Sequence, residues 1–277
     1  MYTAEVSRSN PALFVFLVDQ SLSMSDMMAD PDIAQPKEDF VADAINRLLA
    51  DLSIRCAKED GIRDYFHVAL IGYGREINPA FGGALAGKGV VPIGEVATNP
   101  ARIEDRSKKV PDGAGGLVEM KIKFPVWLDP VSDGGTPMSR ALTLARSIVA
   151  AWLDEHPGCF PPVVLNLTDG EPTDGDPAGP ARAIRELAST DGNVLLFNLH
   201  VSSNPGPAVK FPDSDAALPN QHAKALFSMS SVLPPIMLAY TRQLGYAVTE
   251  DSRSFVFNGG AEDIVKFIDI GTRPDLR

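Results

Sequence analysis

Short unbroken apolar runs, each closed by a polar loop and followed by a stretch with helical spacing, constrain this chain more than any other feature. The runs are residues 12–18 (ALFVFLV), 65–73 (YFHVALIGY), 163–168 (VVLNLT) and 194–201 (VLLFNLHV), with a shorter one at 255–257. Each is too short for a buried helix and lacks the apolar–polar alternation of a half-exposed strand. Such runs suit strands buried on both faces, as in a parallel sheet covered by helices.

Between the runs the period changes. In 38–58, residues Phe40, Val41, Ile45, Leu48, Leu49, Leu52 and Cys56 recur at helix spacing. In 138–153, Met138, Ala141, Leu142, Ala145, Ile148, Val149 and Trp152 share one face. Shorter helices are expected at 181–188, 221–229, 233–244 and 261–268; Pro234 and Pro235 fit a first helical turn. Strands alternating with helices predict an α/β fold: a doubly wound, mostly parallel, Rossmann-like sheet flanked by helices.

The chain has 277 residues, within the range of one α/β domain with insertions. The stretch 74–121 shows no sustained period and holds Gly82, Gly83, Gly87, Gly89, Gly94, Gly113, Gly115 and Gly116. A structureless loop of that length is unusual inside a domain. It reads as an elaboration of a single domain spanning 1–277, with short strands at 89–93 and 118–124.

Charge narrows the partners. Lys and Arg total 25 against 36 Asp and Glu, a formal charge of −11. Such a surface repels phosphate backbones, so neither nucleic acid nor an anionic membrane is expected. No run approaches the roughly 18 apolar residues of a membrane span. Residues 1–10 are polar and lack the layout of a secretory signal, so a cytoplasmic location is expected. Cys56 and Cys159 are far apart with no CxxC pairing, which excludes a cysteine zinc site. They are expected as reduced core thiols, with one bridge between them as the alternative.

In doubly wound sheets ligands bind at the carboxyl ends of the strands, where strand order reverses. Three segments should converge there: Asp19-Gln20-Ser21-Leu22-Ser23, Gly134-Gly135-Thr136-Pro137 and Thr168-Asp169-Gly170-Glu171. Their oxygens suit a hard cation such as Mg²⁺, and Mn²⁺ or Ca²⁺ can occupy the same donors. Ser21 and Ser23, two apart, can face the same way. Thr136 is expected at a helix N-cap, with Pro137 the first helical residue. Asp19 and Asp169 supply the balancing negative charge, and Glu171 and Asp174 are candidates for the rim. A shell rich in neutral hydroxyls leaves the ion electron-poor, so an open position suits a carboxylate from another protein. No general base of the HExxH kind is evident. A binding module is therefore expected rather than an enzyme. The alternatives are a metal-assisted phosphatase and a scaffold whose metal is structural.

Other motifs fail on spacing. Counting from Asp169, the calcium-loop positions that require Gly and Glu are Asp174 and Pro180. Gly72-Tyr73-Gly74 lacks its third glycine, because position 77 is Ile77. The aspartyl-phosphate loop of haloacid-dehalogenase-like phosphatases wants an acid where Ser21 stands. No G-x-S-x-G elbow occurs. His67 and His200 fall within strand-like runs, and His222 has no visible partner. Met24, Met27 and Met28 either form an adaptable contact surface or tuck into the core.

Asp-x-Ser-x-Ser, Gly-Gly-Thr and Thr-Asp-Gly, in that order, resemble the metal-ion-dependent adhesion site (MIDAS) of von Willebrand A (vWA) domains. The resemblance implies that Ser21, Ser23 and Thr136 touch the metal through their hydroxyls, and that Asp19 and Asp169 hold it directly or through water. The stretches LTDGEPTDGD, FSMSSVLPP and FVFNGGAEDIVKFIDIGTR resemble bacterial cytoplasmic vWA proteins associated with tellurite resistance and stress signalling. Those proteins are often encoded beside a PP2C-type phosphatase and a protein kinase. This narrower resemblance implies a regulatory or assembly role with such a protein as partner.

Overall fold

The computed structural model of the chain describes residues 2–29, 34–111, 117–203 and 206–272. The apolar runs become β1 (Ala12–Asp19), β2 (Phe66–Tyr73), β7 (Val163–Thr168), β8 (Leu195–Val201) and β10 (Phe255–Gly259). Three short strands lie at the sheet's margins: β3 (Ile77–Pro79), β4 (Val91–Pro92) and β9 (Val209–Lys210). The strand order is β9-β10-β8-β7-β1-β2-β3, with β4 also pairing with β2. The five central strands are parallel, and β3, β4 and β9 are antiparallel. The doubly wound α/β expectation therefore holds.

The unbroken apolar runs have a simple cause. Successive side chains of β1 enter opposite cores. Phe14, Phe16 and Val18 join one, and Leu13, Val15 and Leu17 the other. The first core is covered by α1 (Lys37–Cys56), α6 (Pro235–Gln243) and α7 (Ala261–Gly271). The second is covered by α3 (Met138–Glu155), α4 (Ala178–Arg185) and α5 (Gln221–Met229). Cys56 and Cys159 are buried free thiols, one in each core.

The elaboration at 74–121 differs from its sequence reading. Only Val91–Pro92 of the expected strand at 89–93 is extended; Ile93 begins α2 (Ile93–Thr98), which buries Ile93 and Val96 at helical spacing. The strand expected at 118–124 is longer, β6 (Leu117–Val126), and pairs with β5 (Arg102–Pro111) in an antiparallel hairpin outside the main sheet. The β5 sequence, RIEDRSKKVP, carries no apolar alternation; the side chains of its residues 102–107 are exposed or half-buried. Gly113, Gly115 and Gly116 lie outside the described residues.

Side-chain contacts tie the hairpin to α1. The Arg106 guanidinium lies 3.7 Å from the Phe124 ring centre and pairs with Asp43 at 2.7 Å. Buried Asn46 accepts the N–H groups of Trp127 and Leu128 at 2.8 and 3.0 Å and donates to the Leu128 carbonyl at 2.9 Å. The Trp127 indole donates to the Val96 carbonyl at 2.7 Å.

Candidate metal centre

The chain leaves β1 for β2 on one side and later returns to β7 on the other. The crevice between the ends of β1 and β7 is thus the switch point of the sheet. Asp19 ends β1 and is 1% exposed. Its Oδ1 accepts the Ser21 backbone N–H at 2.8 Å, and its Oδ2 accepts the Thr168 hydroxyl at 2.6 Å. Burial pushes the Asp19 carboxyl up to about 6, against the opposing pull of the hydrogen bonds from Ser21 and Thr168.

After Asp19 the chain enters a short 3₁₀ turn, Leu22–Ser25. Ser21 Oγ lies 3.1 Å from Ser23 Oγ, and the Ser23 hydroxyl donates to Asp169 Oδ1 at 2.9 Å. Ser21 and Thr136 are buried while Ser23 is exposed, so the cluster opens to solvent on the Ser23 side.

Backbone contacts lock the second segment against the first. Leu22 N–H donates to the Gly134 carbonyl at 3.0 Å, and Asp133 N–H to the Gln20 carbonyl at 2.7 Å. Gly134 has φ +87°, and a Cβ there would lie 2.5 Å from the Arg75 nitrogen. Only glycine fits both the conformation and the close approach. Thr136 N–H donates to Thr173 Oγ1 at 3.0 Å, and Thr173 N–H donates to the Thr136 carbonyl at 2.9 Å. A Cβ on Gly170 would lie 3.2 Å from Thr136 Oγ1 and 3.9 Å from Ser23 Oγ. The glycine thus leaves open the space that the two hydroxyls face. Asp19, Ser21, Ser23, Thr136 and Asp169 are brought together by these three loops.

One expectation needs correction. Thr136 is not the N-cap: α3 begins at Met138 with Pro137 as its cap residue, and the Thr136 carbonyl takes the Met138 N–H at 2.8 Å. The exposed donors of α3 are met from another loop. Asp174 Oδ1 accepts Ser139 N–H at 3.0 Å, and Oδ2 accepts Arg140 N–H at 2.9 Å. Asp174 therefore serves a helix terminus, where a carboxylate also meets the positive end of the helix dipole. Asp176 accepts Ala178 N–H at 2.9 Å at the start of the following helix. Glu171 is exposed.

Lys37 was not legible as a site residue. It is 2% exposed, and its Nζ lies 2.5 Å from Asp169 Oδ2, 2.5 Å from Ser203 Oγ and 3.8 Å from Asp26 Oδ2. In the sequence it is one more lysine at the start of a helix, with no local signal that its ammonium is buried. His200, paired in register with Thr168, stacks on Phe257 at 4.4 Å between ring centres. Burial pushes its imidazole down to about 4. The three methionines divide: Met24 and Met28 are buried in the first core, while Met27 is half exposed.

The donor set, two carboxylates and three hydroxyls, is all oxygen and fits a hard divalent cation. Among the described residues no group of three or more His, Cys, Asp or Glu side chains is placed to hold a metal ion. Any ion here would therefore depend on the hydroxyls.

No protein-family model matches the chain, and no curated protein does. Among solved structures it is similar to proximal thread matrix protein 1 from the mussel byssus, described with a zinc-occupied MIDAS motif. The identity is 11% and the TM-score 0.46, over 94% of this chain and 47% of that one. It is similar to the PilB minor pilin of Streptococcus sanguinis, at 12% identity and TM-score 0.45, over 95% and 61%. A third similarity is to the ArnB paralog VWA2 of Sulfolobus acidocaldarius, at 14% identity and TM-score 0.33, over 69% and 35%. The chain spans less than two thirds of the length of each.

Proposed function

We propose that this chain is a vWA-type domain that holds one divalent cation through Asp19, Ser21, Ser23, Thr136 and Asp169, and uses it to bind an acidic residue of a partner protein. The observation that carries this reading is the meeting of oxygen-bearing side chains from three distant segments at the switch point of the sheet. Mg²⁺ is the ion favoured by the donor chemistry, and Mn²⁺ or Ca²⁺ suits the same oxygens. When bound, the ion supplies positive charge that a partner's carboxylate can ligate. The chain's own residues hold the hydroxyls in place and leave the Ser23 side open.

Binding is favoured over catalysis. His200 is a weak base at neutral pH and is packed against Phe257, so it is poorly suited to activating water. A metal-assisted phosphatase would show metal-dependent turnover of phosphate esters that Asp169→Asn abolishes.

The test is thermal unfolding with and without Mg²⁺ or Mn²⁺. A ligand that binds only the folded state raises its stability. Wild type should melt higher with metal, and Asp19→Ala should not respond. Equal responses would remove the site. For the partner, pull-downs with and without chelator apply: binding that survives chelator and Thr136→Ala rules out a metal bridge.

The finer setting is a bacterial, cytoplasmic stress-signalling complex, with a PP2C-type phosphatase or protein kinase as partner. Its support is the sequence resemblance of the segments around 167–176, 227–235 and 255–273. No helix among the described residues is long and apolar enough to cross a membrane. A purified phosphatase or kinase of that class that fails to bind the metal-loaded domain would count against it.

One observation favours a scaffold as the second reading. The β5–β6 hairpin exposes Ile103, Val118 and Met120 outside the main sheet. Deleting 102–126 should leave metal-dependent binding intact under the first reading and abolish partner binding under the second.

A further inference from the structure

We propose that Lys37 is a built-in counter-cation of this centre, and that it makes cation and carboxylate bind cooperatively. The inference rests on the metal-site reading above and deepens it. Lys37 is buried at 2% exposure, and among the described residues its closest contacts are the Asp169 carboxylate and the Ser203 hydroxyl. Asp26, its other acidic neighbour among the described residues, is largely exposed, so solvent screens that charge.

The charges then add up simply. Asp19 and Asp169 contribute two negative charges and Lys37 one positive; the hydroxyls of Ser21, Ser23 and Thr136 are neutral. The empty centre carries a net charge of −1, not −2. A divalent ion makes it +1. In a largely buried crevice, unbalanced charge is costly. One incoming carboxylate restores neutrality. Lys37 thus weakens binding of the cation alone and strengthens binding of the cation with an anionic ligand. A hydroxyl shell with two carboxylates and no lysine would already be neutral on loading and would gain less from the anion.

Asp169 is also positioned by this contact. Its Oδ2 is taken by Lys37 and its Oδ1 by the Ser23 hydroxyl. Without a cation, Lys37 keeps the carboxylate from being buried unpaired. Lys37→Met should therefore lower the melting temperature in chelator while increasing the rise produced by Mg²⁺.

The experiment is calorimetric titration of Mg²⁺ into wild type, Lys37→Met, Lys37→Arg and Asp19→Ala, in sodium acetate and in sodium chloride of equal ionic strength. Acetate is the carboxylate probe. Wild type should bind Mg²⁺ more tightly in acetate. Lys37→Met should bind Mg²⁺ about tenfold or more tightly than wild type in chloride, as expected when a unit charge is removed nearby, and should lose most of the acetate effect. Lys37→Arg, which keeps the charge, should retain the acetate effect; its loss there would overturn the proposal. If Lys37→Met binds Mg²⁺ no more tightly than wild type, Lys37 only positions Asp169 and the proposal falls. If wild type, like Asp19→Ala, does not bind Mg²⁺, the metal-site reading fails and takes this one with it. Should Lys37→Met not fold, as judged by circular dichroism, Lys37→Gln takes its place with the same expected results.

Discussion

The Asp174 carboxylate accepts the Ser139 backbone N–H at 3.0 Å, so the loop after β7 closes the N-terminus of α3 from a distance of 35 residues in sequence. The neighbouring Arg140 N–H joins the same carboxylate at 2.9 Å. This contact sits beside the mutual hydrogen bonds of Thr136 and Thr173, and together they fasten the second and third site loops to one helix end.

Replacing Asp174 with Ala should therefore cost about 1–2 kcal/mol, the usual range for losing a charged cap. Denaturant unfolding reads this directly. Mg²⁺-induced stabilisation should shrink as well, because Thr136 loses part of its anchorage. An Asp174→Ala protein as stable as wild type would show that the cap contributes nothing.

Asp19 is held at a cost. Its folded carboxyl is raised to about 6 from an ordinary 3.8, chiefly by burial. Between those values the folded state binds more protons than the unfolded state, so this contribution to stability falls as pH rises and the deficit is complete above about 6. Asp19→Asn keeps the shape and can still accept the Ser21 N–H. In chelator at neutral pH it should be more stable than wild type by up to about 3 kcal/mol. The gain should fade as pH drops towards 4. It should also show no stabilisation by Mg²⁺. A variant less stable than wild type at pH 7 in chelator would contradict this account of Asp19.

Gly170→Ala tests the space itself. The new methyl would stand 3.2 Å from Thr136 Oγ1 and 3.9 Å from Ser23 Oγ, close enough to crowd a cation but far from backbone. The expected outcome is a folded protein, within about 1 kcal/mol of wild type by chemical denaturation, whose melting temperature no longer responds to Mg²⁺. An unchanged response would place the cation elsewhere.

Asn46→Leu addresses the hairpin. It orphans the N–H groups of Trp127 and Leu128, both buried, and should destabilise by about 2–4 kcal/mol. Because Asn46 lies away from the three site loops, the affinity for Mg²⁺ should stay at the wild-type value. A parallel loss of metal binding would show that the hairpin supports the site.

The sequence by itself determined the doubly wound sheet and the grouping of the site loops. Runs such as ALFVFLV can be buried on both faces only within a layered sheet, and a strand's carboxyl end is where the next loop must emerge. The convergence of Asp19, Ser21, Ser23, Thr136 and Asp169 was legible because each stands just after such a strand or just before such a helix. Tertiary structure alone decided the rest. It buried Lys37 against Asp169, 132 residues away, and it set Asp174 as a cap on α3. It also paired the charged strand Arg102–Pro111 with Leu117–Val126. In each case the partner is distant in sequence or the residue sits on a polar surface. Local periodicity reports which face of an element is buried; it does not report which charge from elsewhere in the chain will meet it there.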